Sequence, residues 1–334
     1  MPSIYEMMEN KDSICFPELF NSSCRRRALH WSETVPLNIL LCSISAITIA
    51  LNLLVIISVS YFRQLHTPTN ILLLSLAVSD FLVGLLLLPG EIFLGIACWA
   101  FGNLLCSLFN YVSFIITSAS VGNMVLISVD RYVAICYPLH YSTRITVTRV
   151  KRSVCLCWLC CVLYSSVLLK DELIQPGGHN SCYGECVFVI NFIAGTVDLL
   201  LTFIVPISVI VVLYMRVFVV AVSQARAMRS HVTAVTLQLS VNLTTKKSEL
   251  KAGRTLGVLI VVFLMCFCPY YCASLAVEDS LSESSTSIVR YLFYFNSCLN
   301  PVIYALFYPW FRKAIKHIVM LQIFHTGSRE ANIL

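Results

Sequence analysis

The chain has 334 residues, of which 58% are hydrophobic and only 12% are charged, and its formal net charge is +6 at pH 7. Because ordinary soluble domains carry about 25% charged residues, the composition excludes a soluble globular protein and indicates an integral membrane protein. Most of the 16 cysteines lie inside apolar runs, where a free cysteine behaves as a small hydrophobic residue.

Residues 1–34 are polar and mixed in charge, and they lack the apolar core of a cleavable signal peptide. Seven apolar runs follow, each reaching the length of about 20 residues that a membrane-spanning helix needs. They lie near residues 35–61, 69–97, 104–136, 150–169, 187–223, 249–277 and 287–306. An eighth segment, residues 309–322, alternates cations with apolar residues, which predicts a helix lying in the membrane interface.

The sequence therefore predicts an all-α membrane protein, a seven-transmembrane helix bundle with a short amphipathic helix after the seventh span. An N-terminal segment, residues 1–34, precedes the bundle, residues 35–308, and the interfacial helix and tail occupy residues 309–334. Basic residues follow the first, third, fifth and seventh runs, which predicts an extracellular N-terminus in the plasma membrane. Only the arginines at residues 25–27 run against this rule. Asn21 begins an Asn-Ser-Ser sequon on the outer side and is a predicted glycosylation site.

Short motifs occur in a fixed order along the runs. The third run ends in Asp130-Arg131-Tyr132, and the seventh contains Asn300-Pro301 followed by Tyr304. Single residues mark the other runs: Asn52, Asp80, Trp158, Pro206, Tyr214 and Pro269. Together these residues resemble the rhodopsin-like G-protein-coupled receptors. The stretch YFNSCLNPVIYALFYPWFRKA, residues 294–314, and the spacing of Cys182 and Cys186 resemble the trace amine-associated receptors, a vertebrate group serving mainly as olfactory amine receptors.

The resemblance implies an activation switch at the inner ends of the third and sixth runs. Arg131 and Glu249 would bridge in the resting state and separate on activation, as a bistable ion pair does. Ordinary membrane-edge charge is the alternative interpretation of this pair. Tyr214 and Tyr304 would stabilise the open form. The remaining members of the predicted switch are Asp130, Tyr132, Asn300 and Pro301.

A polar cluster and two disulfides are also implied. Asp80 would form a mid-membrane cluster with Ser120, Asn296, Ser297 and Asn300, where the family implies a sodium ion held by oxygen ligands. A hydrogen-bonded polar core without an ion is the alternative. The resemblance pairs Cys106 with Cys186, and Cys24 with Cys182. Cys15 is the alternative partner of Cys182, so that one of these two N-terminal cysteines is left over.

Asp198 lies inside the fifth apolar run, and the stretch around it, residues 191–214, contains no basic residue. A carboxylate at membrane depth costs roughly 2.5–3.5 kcal/mol on insertion and usually marks a functional site. Receptors for biogenic amines hold the ligand's ammonium with an Asp on the third run, at the position that is Ser113 here. In a fish-rich branch of the resembled group, an Asp at the position of Asp198 takes the amine instead. A hydrogen bond to a Ser or Thr of a neighbouring helix is the alternative role.

The other predicted pocket residues are polar or aromatic and share helix faces. They are Ser113, Phe114 and Thr117 on the third run, Thr202 on the fifth, Phe267, Tyr270 and Tyr271 on the sixth, and Tyr291 and Tyr294 on the seventh. Rings around a carboxylate form a cation-binding box, although packing alone is expected of some of them. Glu91, at the top of the second run, either holds the far amine of a diamine or is a solvated edge charge.

The predicted function is a receptor for small protonated amines, active in olfaction. By resemblance it signals through a heterotrimeric G protein of the stimulatory or olfactory kind to raise cyclic AMP, with arrestin as a further partner and no nucleic acid. The seventh run lacks the lysine of an opsin, and the chain shows no transporter-like repeat and no catalytic constellation of an enzyme. A receptor of the same fold for a peptide or lipid is the alternative.

Overall fold

The structure is a computed structural model, and the regular structure of the residues that it describes is helical apart from one small hairpin. The hairpin pairs β1, Ser13–Ile14, with antiparallel β2, Arg25–Arg26. The residues that the structure describes are 13–16, 18, 22–26, 31–178, 180, 182–186, 190–232, 257–258, 260–273, 283–320 and 333.

Seven helices correspond to the seven apolar runs. The first is Trp31–Tyr61, and the second runs through Pro68–Leu82, a π-helical turn at Val83–Leu87 and Leu88–Ile96. The third is Gly102–Cys136 and the fourth Val147–Leu168. The fifth comprises Phe192–Asp198, a π-helical turn at Leu199–Ile204 and Val205–Val232. The described part of the sixth includes Ile260–Ala273, and the seventh is Glu283–Phe307. We call them the first to seventh spans.

Shorter elements connect and extend the spans. A 3-10 turn, Arg63–Leu65, joins the first two spans, and short helices lie at Pro138–Arg144 and Lys170–Ile174. Among the described residues, five helices are long and apolar enough to cross a membrane: Val35–Tyr61, Pro68–Ile96, Gly102–Cys136, Val147–Leu168 and Phe192–Val220.

Local chemistry explains where several spans begin. The side chain of Thr67 accepts a hydrogen bond from the Asn70 amide at 3.3 Å, and Pro68 follows at the first helical position. Asn191 caps the fifth span in the same way, accepting from the Ala194 amide at 2.8 Å. These caps satisfy amide donors that have no partner inside the helix.

The third span lies against the second, fourth and fifth spans, and the first lies against the second and seventh. Large apolar side chains cover the outer faces instead of being buried. Leu163 and Val167 on the fourth span are 57% and 73% exposed, and Val212 on the fifth is 59% exposed. Apolar surface this extensive is typical of a face that contacts lipid.

Three disulfides join the loops at one end of the bundle, which we call the disulfide end. Cys106 is bonded to Cys186, and Cys24 to Cys182, the two pairs that the resemblance implied. The expectation that one N-terminal cysteine is left over was wrong, because Cys15 is bonded to Cys98 in the loop after the second span. Backbone hydrogen bonds from Tyr183 to Ser22 and from Cys24 to Tyr183, at 2.7 and 3.0 Å, attach residues 22–24 to the loop before the fifth span.

The interfacial helix, Pro309–Val319, closes the opposite end of the seventh span. Its side chains Trp310, Phe311 and Ala314 are buried. Arg312 donates to the carbonyl oxygens of Ala305 and Leu306, each at 3.0 Å, and thereby satisfies the last carbonyls of the seventh span.

Candidate functional site

Asp198 is half-buried and stands directly before the π-helical turn Leu199–Ile204 of the fifth span. Its Oδ1 atom accepts a hydrogen bond from the Tyr164 hydroxyl of the fourth span at 2.8 Å. Within the described part of the chain, no basic side chain forms an ion pair with Asp198. The carboxylate is therefore held by a neutral donor and has no cationic partner from these residues.

A hydroxyl pair follows one turn further along the fifth span. Thr202 donates its hydroxyl to the Asp198 carbonyl oxygen at 2.7 Å, and it lies 3.0 Å from the Tyr271 hydroxyl. Because a Thr hydroxyl carries one hydrogen, Tyr271 acts as the donor to Thr202 in this arrangement. The ring of Tyr271 stacks on Phe203, with ring centroids 4.2 Å apart. The fifth and sixth spans are thereby tied together beside the carboxylate.

A continuous set of rings extends from there to the seventh span, and we call it the aromatic wall: Phe203, Phe267, Tyr270, Tyr271 and Phe293. Phe293 is its centre, with ring centroids 4.2 Å from Phe267 and 4.8 Å from Tyr270. Phe267 is almost fully buried and also stacks on Phe263 at 4.1 Å, so it packs within the core. Phe203 and Phe293 were not predicted to line the site, since an aromatic residue in an apolar run gives no signal of its own.

A second charged group lies at the far end of the aromatic wall. Glu91 of the second span pairs with Arg290 of the seventh span at 3.0 Å, and the Tyr294 hydroxyl donates to Glu91 at 3.3 Å. The ring of Tyr294 packs against Phe293 with centroids 5.5 Å apart, so this ion pair borders the aromatic wall. Neither sequence interpretation of Glu91 anticipated that its partner is an arginine of this chain.

The third-span residues make no direct hydrogen bond to Asp198. Ser113 donates its hydroxyl to the Phe109 carbonyl of its own helix at 2.7 Å. Phe114 and Thr117 are half-buried on the same span. Tyr291 is half-buried on the seventh span, with Glu91 in electrostatic range. The structure thus brings Asp198, Thr202, Tyr270 and Tyr271 together, whereas Tyr294 joins the Glu91 pair.

Arg131 is engaged at the end of the bundle opposite the disulfides. Its guanidinium pairs with the neighbouring Asp130, with Nη2 at 2.5 Å from Oδ2, and also donates to the Thr69 hydroxyl. Asp130 accepts further hydrogen bonds from Thr69 at 2.9 Å and from Tyr141 at 2.8 Å. Tyr132 packs edge-on against Tyr137. Glu249, the predicted partner of Arg131, lies outside the described residues.

Two tyrosines of the predicted switch occupy tight sites. A Cβ atom built on Gly257 of the sixth span would stand 2.1 Å from the Tyr214 hydroxyl, so Tyr214 holds its present position because residue 257 has no side chain. Tyr304 is fully buried three residues after Pro301, and its ring centroid lies 6.5 Å from that of Phe311 in the interfacial helix.

The predicted polar cluster is buried between the second, third and seventh spans. Asn300 donates to Asp80 Oδ2 at 2.8 Å, and both residues have no exposed surface. Four buried oxygens of this cluster have no hydrogen-bond partner among the described residues: Asp80 Oδ1, Ser120 Oγ, Asn296 Oδ1 and Asn300 Oδ1. Since buried polar atoms are normally partnered, this oxygen-rich set fits a hard cation such as sodium. Ser297 is buried beside it.

Comparison with known proteins agrees with this arrangement. Over 333 aligned residues the chain is 36% identical to trace amine-associated receptor 13c of Danio rerio, covering 96% of this chain and 95% of that receptor. The chain belongs to the trace amine-associated receptors. It is also 36% identical to receptor 3 of this group from Rattus norvegicus, covering 95% of each chain, and 35% identical to receptor 2 from Homo sapiens, covering 94% and 90%. Residues 51–304 match the 7 transmembrane receptor (rhodopsin family) model.

The family confirms the predicted fold class and the resemblance. This trace amine-associated receptor is a multi-pass membrane protein and a G-protein-coupled receptor, not an enzyme. Such receptors respond to small-molecule ligands and act on G proteins.

Proposed function

We propose that this receptor binds a small protonated amine, with Asp198 as the ammonium counter-ion. One observation carries the proposal: a half-buried carboxylate at membrane depth whose only side-chain donor from a neighbouring span, among the described residues, is the neutral Tyr164 hydroxyl. A carboxylate in such a place is costly unless a cation pairs with it. An incoming ammonium supplies the charge and charge-assisted hydrogen bonds.

The surroundings of Asp198 support an organic cation rather than a bare ion. The rings of Tyr270 and Tyr271 border the carboxylate's region, and each cation–π contact is worth about 0.5–2 kcal/mol. Ser113 contributes only a hydroxyl, which is already bonded within its own helix, so the counter-ion is proposed on the fifth span and not on the third.

Signalling is proposed through a stimulatory or olfactory G protein that raises cyclic AMP, with arrestin as a further partner and olfaction as the setting. The orientation proposed is an extracellular N-terminus in the plasma membrane, which is supported by the loop charges and by the three disulfides at that end. A glycan-dependent mobility shift that is lost in Asn21→Gln tests the orientation.

The test of the ligand site is a cyclic AMP response to a panel of amines, measured on wild type and Asp198→Asn at equal surface levels. Losing one member of a close charge pair costs about 2 kcal/mol or more, so we expect at least a roughly thirtyfold rise in the half-maximal concentration. The N-acetylated form of each active amine, which carries no charge, should not activate wild type.

The matched control is Asp171→Asn, which removes the same charge from an exposed position at the disulfide end. It should respond as wild type does, because an exposed charge contributes little to binding a ligand inside the bundle. An equal response of wild type and Asp198→Asn would overturn the amine site. Activation by a peptide or lipid, with no response to any amine, would favour the alternative receptor class.

We also propose that a sodium ion binds the cluster of Asp80, Ser120, Asn296, Ser297 and Asn300. The four unpartnered buried oxygens support it. A cation held there would join the second, third and seventh spans and favour the resting arrangement of the bundle.

A further inference from the structure

The ion pair between Glu91 and Arg290 stands at the opposite end of the aromatic wall from Asp198. Both oxygens of the Glu91 carboxylate are engaged, since Oε2 accepts from Arg290 at 3.0 Å and Oε1 accepts from Tyr294 at 3.3 Å. The Glu91 side chain is 13% exposed and that of Arg290 44%. The Glu91 carboxylate is thus largely covered, and its Oε2 atom is already paired with a guanidinium.

Without the guanidinium, this region would hold two carboxylates separated by aromatic rings. Tyr270 packs against Tyr271 and Phe293, with ring centroids 5.3 and 4.8 Å away, and it interacts electrostatically with both Asp198 and Glu91, so one elongated molecule lying along the aromatic wall would encounter both carboxylates. A linear diamine, with an ammonium at each end and an apolar chain between, matches that arrangement. Glu91 alone would therefore make the pocket attractive to dications.

Arg290 changes the charge at this end of the pocket. Paired with Arg290, Glu91 contributes no net charge, and a second ammonium must either displace a guanidinium from its hydrogen-bonded partner or lie beside a like charge. Both are unfavourable, because a close like charge repels and a covered carboxylate pairs strongly with arginine. Specificity that depends on repelling the wrong ligand is a recognised device of binding sites.

We propose that Arg290 is a specificity-determining residue, an internal cation that occupies Glu91 and thereby restricts the receptor to amines with a single charged end. This inference rests on the proposed amine site at Asp198, where the ligand's one ammonium binds. Glu91 supplies the latent second site, and Tyr294 holds the carboxylate in position.

The experiment compares linear primary amines, pentylamine to decylamine, with the α,ω-diamines of the same chain lengths. Each pair shares its apolar chain, so the ratio of the two half-maximal concentrations isolates the second charge. Wild type should prefer each monoamine to its diamine. In Arg290→Gln the ratio should shift toward the diamine by about tenfold or more for the chain length that spans both carboxylates.

Two further variants separate charge from shape. Arg290→Lys keeps the cation and should behave as wild type. Adding Glu91→Gln to Arg290→Gln removes the latent carboxylate and should abolish the gained diamine response. If Arg290→Gln reaches the surface poorly, the measurement is its surface level after culture with a diamine or its matching monoamine. Only the diamine should restore it, since ligands stabilise the folded state they bind.

The outcomes distinguish this inference from the proposed function. If monoamines act through Asp198 but Arg290→Gln gains no diamine preference in signalling or surface rescue, the role of Arg290 is overturned and the amine site stands. A diamine preference in wild type also overturns it. If no amine activates any variant, both proposals fail together.

Discussion

The hydrogen bond from Tyr164 to Asp198 is the contact at residue scale on which the proposed site depends. At 2.8 Å it fixes the carboxylate between the fourth and fifth spans. Hydrogen bonds to charged groups contribute about 1.5–3 kcal/mol. We therefore expect Tyr164→Phe to raise the half-maximal amine concentration by about tenfold at unchanged surface level, because the carboxylate loses its orienting donor.

The chain offers a close control for this change. The Tyr111 hydroxyl of the third span bonds to Ser166 of the fourth span, also at 2.8 Å, without contacting Asp198. Tyr111→Phe removes an equivalent interhelical bond and should leave the amine response within about twofold of wild type. An equal loss in both variants would mean that Tyr164 acts only by holding the spans together.

The sequence identified Asp198 but not Tyr164, and the reason is physical. A carboxylate in an apolar run is costly wherever it points, so its presence alone indicates function. Tyrosines are common in such runs. The hydrogen-bond partner of Tyr164 depends on how the fourth and fifth spans face each other, and the sequence alone does not give that orientation. Arg290 was missed for the same reason, because its partner lies 199 residues away.

At the scale of the helix, lengths were predictable and irregularities were not. The third span was expected over residues 104–136 and is observed as Gly102–Cys136. The fifth was expected to begin at residue 187, whereas its helix begins at Phe192, after the Asn191 cap. The π-helical turn Leu199–Ile204 had no signal in the composition. It directly follows Asp198 and ends two residues before Pro206, which lacks an amide hydrogen.

The contact between the fifth and sixth spans at Tyr214 and Gly257 leads to a prediction about activation. In the same structure, Arg131 is bound to Asp130 and Thr69. In Gly257→Ala the new methyl group collides with the Tyr214 hydroxyl, at 2.1 Å for an unmoved side chain. Overpacking destabilises the arrangement in which Tyr214 contacts Gly257 and Arg131 is bound, at a cost of about 1–3 kcal/mol. We therefore expect a lower melting temperature of the unliganded receptor. We also expect raised basal cyclic AMP, because destabilising this arrangement shifts the population toward the active one.

Gly195→Ala is the control for helix glycine replacement. A Cβ atom at Gly195 of the fifth span meets no atom within 4 Å, so the same substitution there should neither lower the melting temperature nor raise basal cyclic AMP, and it slightly favours the helix. Unchanged basal cyclic AMP and melting temperature in Gly257→Ala would show that Tyr214 moves aside freely.

At the scale of the whole molecule, the order of motifs along the chain predicted the bundle, but not how its disulfide end is closed. The six cysteines at that end form three bonds, and their even number was a signal for a partner of Cys15. Cys98 was overlooked because it follows the second span so closely. The resulting bonds tie Cys15 to the loop after the second span and Cys24 to the loop before the fifth, so these two cysteines belong to the folded receptor.

The buried polar cluster joins the second and seventh spans, since Asn300 donates to Asp80 at 2.8 Å. A ligand that favours the active state and an ion that favours the resting state must weaken each other's binding, because such coupling is reciprocal. The sodium proposal therefore has a consequence for stability that does not depend on signalling.

The unliganded wild-type receptor should have a higher melting temperature in sodium chloride than in potassium chloride of equal ionic strength, because a bound ion stabilises the state that holds it. Asp80→Asn removes the carboxylate and should remove the difference, whereas the exposed Asp171→Asn should keep it. In wild type, sodium should also raise the half-maximal amine concentration. Equal melting temperatures of wild type in the two salts would mean that the buried oxygens form a polar core without an ion.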